Sequence, residues 1–532
     1  MTQQNTSVRT LSELDEQQRY RAFDDLQLTM PSVWASMQVG LEDESVVVVP
    51  SISIERATPG SGTIMRAMEE RALFLLLLLR QPRLRMIYVT SQPVQESIVE
   101  YYLGLLPGVI PSQARRRLTL VAVGDGSAVP LSSKLLARPR LLHEIRSCIP
   151  NPDRCHLIPY NTTPMERDVA LSLGIPMYGA DPRLAELGTK TGCRRMFEEL
   201  EVTCPVGAED LRTVDDLVTG VQGMRARRPT LTQAIVKLND GVSGSGNALV
   251  DLHGLPAPNS AEERAAITER LLGMQLEDET LTLEVYLAAF EKNGGIVEER
   301  ITGVELTSPS VQMRALPDGT VELLSTHDQL LGGKSGQKYL GCVFPADPAY
   351  AAAIAEPAMV IGRHLAGLGV LGRFAVDFVT VKDSQGDWTP YAIELNLRKG
   401  GTTHPFLTLQ FLTDGRYDGQ HGVFLTPGGS SKYLVATDHC EDDRLKGLTV
   451  ADLFDIAVNH GLHFDQSRRT GVVFHMISCL TECGRVGLTA VGDNAEDAYR
   501  IYQDAQAVLL REAETALEEG VLRSEPEGAP TG

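Results

Sequence analysis

Residues 372–405 read GRFAVDFVTVKDSQGDWTPYAIELNLRKGGTTHP, a pattern that predicts two strands joined by the polar loop KDSQGD. Because neighbouring side chains of a strand point to opposite faces, Phe374, Val376 and Phe378 share an apolar face in the first strand. Asp377 therefore lies on the opposite face. If the two strands pair as a hairpin, this carboxylate can meet polar side chains of the second strand.

The second strand has three polar side chains on one face, Glu394, Asn396 and Arg398. Its other face is apolar and consists of Tyr391, Ile393, Leu395 and Leu397. Packing alone does not explain why a carboxylate, an amide and a guanidinium lie on the same face of one strand. With Asp377, the carboxylate and amide oxygens form the kind of ligand set that Mg²⁺ prefers, with Mn²⁺ as an allowed substitute. The alternative is the solvated polar face of an edge strand.

Residues 234–250 read AIVKLNDGVSGSGNALV, in which two apolar runs flank a loop rich in glycine and serine. The flanks predict a β-hairpin, and the glycines let backbone N–H groups approach an anion closely. Lys237 stands at the end of the first strand, where its ammonium can reach the same anion. The alternative is a mobile glycine hairpin. The loop residues predicted to contact phosphate are Gly241, Ser243, Gly244, Ser245, Gly246 and Asn247.

The composition narrows the class of protein. The chain has 532 residues, 43% of them apolar, and a formal net charge of −20, which excludes a nucleic-acid scaffold but not a local anion site. The N-terminus lacks the apolar core of a signal peptide, and the longest apolar run, 72–79, is shorter than the roughly 20 residues that cross a bilayer. The eight cysteines form no paired zinc motif and fit a reducing compartment. We therefore expect a cytoplasmic protein without nucleic-acid or membrane partners.

The first 165 or so residues alternate apolar runs with helical patterns. The runs at 45–50, 85–90 and 117–124 predict buried strands in an open α/β sheet with helices on its faces. Further along, the pattern predicts helices at 209–225, 260–274 and 350–368 and strands at 281–289 and 296–301. Residues 413–440 predict a linker or extended wrap, and 445–518 predict a small unit of helices and strands.

GGIVEERITGVE at 294–305 predicts a short strand that ends in acids. With this segment the sequence resembles the ATP-grasp ligases, which hold ATP between two α+β lobes under a glycine loop. In that family a strand of this form holds adenine and a later acid holds the ribose. The ATP contacts that the resemblance implies here are Glu298, Glu299, Arg300, Ile301 and Glu305.

The remaining motifs of the resemblance occur in the same order as in the family. Lys190, in GTKTGCRRMF, and Lys237 match the lysines that contact the nucleotide phosphates, although Thr189 stands where the family often has Asp. Arg398 matches an arginine often found two residues beyond the metal ligands. The implied metal ligands are Asp377, Glu394 and Asn396.

The sequence is most similar to the pheganomycin-type peptide ligases, through ELNLRKGGTTHP (394–405) and TGVVFHMISCLTECGRVGLTAVG (470–492). The resemblance implies a multidomain fold of mixed α/β and α+β class. Its expected domains are an open α/β pre-ATP-grasp domain (1–165), an ATP-grasp core (166–440), a small α/β C-terminal domain (441–520) and a disordered tail (521–532). The core divides into a central part (166–225), a nucleotide-clamping lobe (226–304) and a metal-binding lobe (305–440).

The implied reaction joins a carboxylate to the amine of an amino acid or peptide through an acyl phosphate, with release of ADP and phosphate, as in peptide natural-product biosynthesis. Arg398 and Lys237 are the expected catalytic residues, because both neutralise charge on the phosphates. A second hypothesis is an ATP-binding protein without turnover. A third keeps ATP but changes the acceptor, which gives a carboxylate kinase or a thioester-forming enzyme. The oligomeric state stays open, with a homo-oligomer allowed.

The polar segment 308–346 supplies candidates for substrate recognition. The side chains that could meet a carboxylate or a peptide are Arg314, His327, Gln329, Lys334 and, beside the Gly-Gly-Thr-Thr turn, His404. For each of them an ordinary structural role is an equal alternative. His327 in particular could be a satisfied histidine at a strand end.

Overall fold

The computed structural model describes residues 11–40, 43–53, 61–240, 246–278, 280–332, 336 and 338–524, with side chains through 518. Its N-terminal part is a parallel sheet covered by helices, as the alternating pattern predicts. Its elements are α1 (Glu16–Gln27), α2 (Met30–Val39), β1 (Ser45–Val49), α3 (Gly62–Arg71), β2 (Arg85–Thr90), α4 (Glu96–Gly104), α5 (Pro111–Arg115), β3 (Leu118–Ala122), α6 (Leu131–Leu136), α7 (Pro139–Ser147), β4 (Cys155–Pro159) and α8 (Pro164–Leu173).

The parallel sheet has the strand order β3-β2-β1-β4. Val46 and Val48 of β1 point to one face and Val47 and Val49 to the other, and all four are buried because helices cover both sides. The apolar run at 72–79 forms a buried 3₁₀ helix, Ala72–Arg80, that packs against this sheet.

The next part holds a second, antiparallel sheet with the order β5-β9-β6-β7-β8. Its elements are α9 (Lys190–Glu199), β5 (Gly207–Leu211), α10 (Val214–Arg227), β6 (Gln233–Leu238), β7 (Asn247–Asp251), α11 (Glu263–Leu272), β8 (Gln275–Leu276), α12 (Leu283–Asn293) and β9 (Gly295–Glu299). The predicted glycine hairpin is confirmed, since β6 and β7 pair in antiparallel register with Lys237 opposite Asn247.

Two predictions in this part are wrong. The strand predicted at 281–289 is the helix α12, because Thr282 caps its first turn and Tyr286 and Phe290, four residues apart, bury one face. The helix predicted at 209–225 starts only at Val214, where Thr213 and Asp216 form a capping box, and the residues before it form β5.

A third, mostly antiparallel sheet spans the rest of the chain. Its elements and their neighbours are β10 (Glu305–Thr307), β11 (Pro309–Ala315), β12 (Val321–Gly332), β13 (Lys338–Phe344), α13 (Pro348–Gly367), β14 (Gly372–Lys382), β15 (Trp388–Asn396), α14 (Thr403–Thr413), β16 (Arg416–Asp418), β17 (Val423–Leu425), β18 (Tyr433–Glu441), α15 (Val450–Asn459), β19 (Gly471–His475), α16 (Cys479–Cys483), β20 (Arg485–Gly492) and α17 (Ala495–Ser524).

This sheet runs in the order β10-β14-β11-β12-β13-β18-β20-β19, with β15 paired to β14. It is continuous across the boundary predicted near residue 440, because β18 pairs with β13 on one side and β20 on the other. Residues 413–440 therefore contain strands rather than only a linker, which corrects the prediction for this segment. The domain boundaries themselves stay predictions.

The helix α17 continues to Ser524, and residues 525–532 lie outside the described part of the chain, so the disordered tail stays a prediction. In the described ranges, no helix is both long enough and apolar enough to cross a membrane. All eight cysteines are free thiols.

Candidate active site

The hairpin of β14 and β15 brings the predicted metal-binding side chains together. Asp377 is the register partner of Glu394, and the side-chain amide of Asn396 donates a hydrogen bond of 3.0 Å to Asp377. The strand alternation predicted for β15 is broken by a bulge between these partners and the next pair, Phe378 and Ala392. Ala392, instead of the predicted Ile393, therefore joins the apolar core.

The two carboxyl groups of the hairpin have different electrostatic surroundings. Burial raises the pKa of Asp377 to about 6, and the facing carboxylate of Glu394 adds to the rise. Burial also acts to raise the pKa of Glu394, but Lys190 and then Arg398 outweigh it and hold this pKa below its ordinary value. Burial and the facing carboxylate thus disfavour the charged form of Asp377, whereas Lys190 and Arg398 favour the charged form of Glu394.

Lys190 joins the two sides of the site. It begins α9, and its ammonium forms an ion pair with Glu394 while its side chain is only 6% exposed. Its backbone N–H donates to the carbonyl of Asn239 at 3.4 Å, and the N–H of Thr191 donates to the Asn239 side chain at 3.0 Å. Asn239 follows β6, so the start of α9 is fixed to the glycine hairpin. The sequence pattern did not single out Asn239.

Lys237 lies at the end of β6, beside the start of the glycine loop. Its ammonium is 2.5 Å from a carboxylate oxygen of Glu298, and both side chains are buried. Arg194 of α9 places its guanidinium 3.6 Å from the same carboxylate. Lys237 also acts electrostatically on Glu394, which places it in one neighbourhood with Lys190 and the carboxylate pair.

Most of the glycine loop, including Gly241, Ser243, Gly244 and Ser245, lies outside the described residues. Its end is fixed, because the carbonyl of Gly246 accepts hydrogen bonds from the backbone N–H of Leu238 and the hydroxyl of Tyr286, both at 3.0 Å. Asn247 begins β7. These contacts anchor the base of the loop next to Lys237.

The predicted adenine and ribose residues are spread over more than one surface. Glu298 faces Lys237, whereas Glu299 points to the other side of β9, where it pairs with Arg228 and accepts from the N–H of Val206 at 2.9 Å. The Arg300 side chain donates to Gln233 at 3.1 Å. Ile301 is half-buried.

Glu305 begins β10 on the third sheet, exposed and paired with Lys382 at 3.0 Å. This contact does not bring it to Lys237 or to the carboxylate pair. Its role with ribose, like those of the other ATP contacts, stays a prediction.

Arg398 follows β15 and donates to the carbonyl of Lys399 at 3.2 Å. Its charge acts on both Asp377 and Glu394 and lowers the pKa of each. The structure therefore brings Arg398, Lys190 and Lys237 around one carboxylate pair, which is the grouping predicted from the sequence.

Most of the side chains of segment 308–346 that were predicted to bind substrate make contacts with other residues of the protein. Arg314 pairs with Glu322 at 2.8 Å, and its guanidinium lies 5.4 Å from the ring centre of Trp34. The predicted Lys334 lies outside the described residues. Gln329 is half-buried on β12, and its backbone N–H donates to Ser308 at 3.1 Å.

His327 is fully buried and packs on the ring of Phe344, with centres 5.0 Å apart. One ring nitrogen is 2.9 Å from the hydroxyl of Ser325, and burial lowers its pKa to about 3. These contacts fit the structural alternative for His327. His404 is also buried, and its Nε2 faces His475 at 3.1 Å.

A group of cationic side chains that the sequence pattern does not indicate lies between the N-terminal sheet and the hairpin. Lys399 donates to the carbonyl of Pro159, and burial together with Arg373 lowers its pKa to about 7. Burial, with Arg314 adding, lowers the pKa of Arg373 to about 10. Tyr178 belongs to the same group, because Arg314 and Arg373 both act on its buried hydroxyl. These residues come together only in the fold, since more than 200 positions separate Tyr178 from Lys399.

The donor set at the hairpin fits a magnesium ion. Two carboxylates and an amide offer only oxygen ligands, and the raised pKa of Asp377 marks negative charge that a further cation would compensate. Lys190 already contacts Glu394 as a cation, so an added metal ion would share this carboxylate or release the lysine toward a phosphate.

Two protein-family models match the chain. The model described as "IQCH-like, ATP-grasp" matches residues 182–280 and 277–420, which include the lysines, the hairpin and the carboxylate pair. The model described as "PGM1 C-terminal domain" matches residues 452–505.

Two curated proteins are similar over most of this chain. An L-propargylglycine–L-glutamate ligase of Streptantibioticus cattleyicolor is 29% identical over 455 residues, which cover 84% of this chain and 90% of the ligase. IQ motif-containing protein H of Danio rerio is 22% identical over 515 residues, which cover 88% of this chain and 48% of that protein. The chain thus matches about half the length of the second relative.

Among solved structures, biotin carboxylase of Campylobacter jejuni is 12% identical with a TM-score of 0.49, over 88% of this chain and 95% of that one. N5-carboxyaminoimidazole ribonucleotide synthetase of Thermus thermophilus is 14% identical with a TM-score of 0.47, over 88% and 98%. The family match covers the glycine hairpin and the carboxylate hairpin, so residues 182–420, which group Lys190, Lys237, Asp377 and Glu394 between two sheets, are similar to an ATP-grasp domain.

Proposed function

We propose that the protein is an ATP-dependent ligase that forms an amide bond between a carboxylate donor and the amine of an amino acid or peptide, with release of ADP and phosphate. The observation that carries the proposal is the meeting of Lys190 and Lys237, from two sides of the site, with the carboxylate pair of Asp377 and Glu394. The 29% identity to an amino-acid ligase over most of both chains supports the same activity.

The reaction proceeds in two steps. A carboxylate oxygen of the donor attacks the γ-phosphorus of ATP, which breaks the bond to the β-phosphate oxygen and gives an acyl phosphate and ADP. The amine then attacks the acyl carbon, loses a proton and expels phosphate. The protein contributes positioning and charge neutralisation: Lys190 and Lys237 hold the phosphates, and Arg398 neutralises charge on the transferred group.

A Mg²⁺ ion, held by Asp377, Glu394 and Asn396, would supply further neutralisation of phosphate charge when bound. The glycine loop after Lys237 would exclude water that otherwise hydrolyses the acyl phosphate. A cytoplasmic location and a place in peptide natural-product biosynthesis are parts of the same proposal. They rest on the sequence features and on the relative named above.

The cationic group of Lys399, Arg373 and Tyr178 suits the carboxylate of the donor. Its lysine and arginine are partly removed from water, and a bound carboxylate would compensate their charge. Lys399 directly follows Arg398 in the chain, so a carboxylate bound at Lys399 would lie near the residue proposed to neutralise the transferred phosphate.

This cationic group predicts a pH dependence of donor use. Because burial and the nearby Arg373 lower the pKa of Lys399 to about 7, the lysine is charged below this pH and loses its proton above it. A carboxylate binds the charged form, so kcat/KM for the donor should fall as the pH rises above 7. The matched variant Lys399→Arg keeps its charge and should lose this decline. Equal pH profiles of the two proteins would count against a role for Lys399 in donor binding.

The activity can be tested by ADP release from Mg-ATP with a panel of amino acids and short peptides, followed by mass spectrometry of the products. The proposal predicts sustained turnover of ATP to ADP only when both a carboxylate and an amine are present, with one amide product per ADP. Sustained turnover to ADP and a released acyl phosphate without any amine would point to a carboxylate kinase. Tight Mg-ATP binding without ADP release for any pair would favour a binding protein.

A further inference from the structure

Two histidines and an aspartate form a buried cluster that contains none of the side chains assigned to ATP or magnesium. His404 lies in α14, Asp438 in β18 and His475 at the end of β19. The Nε2 atom of His475 is 2.8 Å from Oδ1 of Asp438 and 3.1 Å from Nε2 of His404, and His404 Nε2 is 3.5 Å from the same oxygen. Each side chain is at most 7% exposed. Among the described residues, these three form the only group of His, Cys, Asp or Glu side chains whose ligand atoms lie close enough together to hold a metal ion.

Hydrogen bonding alone leaves His404 poorly satisfied. A neutral His475 can donate its Nε2 proton to Asp438. The Nε2 atom of His404 can then accept only a second, weaker share of the same hydrogen bond. If His404 carries its proton on Nδ1, this buried N–H has no partner in the protein. If the proton is on Nε2, it points at a second N–H only 3.1 Å away.

A metal ion at the centre of the cluster would satisfy both Nε2 lone pairs. Atoms separated by 2.8, 3.1 and 3.5 Å lie on a circle with a radius of about 1.8 Å, so a point just off their plane is about 2.0–2.1 Å from all three. These are the usual bond lengths of zinc to imidazole nitrogen and carboxylate oxygen.

The surroundings of the cluster match those of a metal site. The second oxygen of Asp438 pairs with buried Arg71, which leaves Oδ1 directed at the two histidines. Gly487 lies against the ring of His475, where any side chain would clash with it. A cavity of about 20 Å³, enough for one water molecule, borders His404 and Arg71 and has room for a further ligand.

We propose that His404, Asp438 and His475 bind one divalent transition-metal ion, for which zinc is the best fit. Two imidazoles and one carboxylate are a ligand set for zinc and related first-row ions, and they differ from the oxygen-only set of the ATP site. This ion is distinct from the magnesium of the proposed ligase reaction.

The position of the cluster gives the ion a structural role. Asp438 and His475 belong to the strands at the C-terminal end of the third sheet, and His404 begins the helix that follows the hairpin of the ATP site. Arg71, from the N-terminal part, completes the cluster. An ion at this junction would hold three parts of the chain together and fix the turn between Arg398 and His404.

The test measures metal rather than catalysis. Untagged protein is purified without chelator, and its zinc, iron, manganese, cobalt and nickel contents are measured per chain by mass spectrometry of the elements. We expect about one equivalent in total, and at least about a tenfold loss of it in His475→Ala. The matched control is His460→Gln, which removes an exposed histidine paired with Glu512 and should keep the ion.

A second measurement covers the case in which His475→Ala does not fold. Wild-type protein is treated with a zinc-selective chelator in excess Mg²⁺, and its melting temperature is followed before and after zinc is added back. The proposal predicts a fall of several degrees that zinc reverses and magnesium does not. A melting temperature that chelation leaves unchanged, in wild-type protein that binds no zinc when zinc is added back, would overturn the proposal. A failure of ligase activity would not affect this result.

Discussion

Glu394→Gln should reduce the rate of ADP formation by on the order of 10³-fold while the protein stays folded. The carboxylate faces Asp377 across the hairpin and pairs with Lys190, so it lies where charge on ATP and its metal ion must be matched. Glutamine keeps the shape of the side chain but removes its charge. ADP release at saturating Mg²⁺ and donor measures the effect.

The control for this variant is Glu441→Gln, an exposed glutamate of β18 in the same sheet. Its activity and the melting temperature of both variants should stay close to those of the wild type. Activity of Glu394→Gln within about threefold of the wild type would remove Glu394 from the metal site.

Lys237→Met should lower kcat/KM for ATP by about 10²- to 10³-fold. The Lys237 ammonium, at the base of the glycine loop, is the nearest positive charge to Glu298. In the proposed reaction it contacts the phosphates of ATP. Methionine retains much of the length of the side chain without its charge. ADP release over a range of ATP concentrations measures the change.

Loss of this lysine also leaves Glu298 buried with only Arg194, 3.6 Å away, as a cationic partner. The variant could therefore lose stability as well as activity. The double variant Lys237→Met/Glu298→Gln separates the two effects, because it removes the unpaired carboxylate. We expect it to regain the wild-type melting temperature and to stay inactive. Recovery of activity in the double variant would show that Lys237 acts on Glu298 rather than on ATP.

The parts of the fold that follow from local pattern were predictable from the sequence. Strict alternation in β14 and the polar face of β15 gave the pairing of Asp377 with Glu394, and the glycine loop between two apolar runs gave the hairpin of Lys237. The bulge at Ile393 was not predictable, because it depends on how the hairpin fits the core beneath it.

Other features of the fold and the site were predicted wrongly or not at all, for physical reasons. Residues 281–289 contain alternating apolar residues that also suit a strand, and only burial of Tyr286 and Phe290 on one side selects the helix α12. The cationic group of Lys399, Arg373 and Tyr178 and the histidine cluster each combine residues from distant parts of the chain. No local spacing could indicate that Arg71, His404 and His475 meet at Asp438.

The most direct test of the ligase mechanism follows an oxygen atom. A donor acid labelled with ¹⁸O in its carboxylate is incubated with the enzyme, Mg-ATP and an amine, and the released phosphate is analysed by mass spectrometry. Attack of the carboxylate on the γ-phosphate predicts one ¹⁸O in each phosphate formed together with amide. Unlabelled phosphate, or label released in AMP, would contradict an acyl-phosphate intermediate and with it the proposed function.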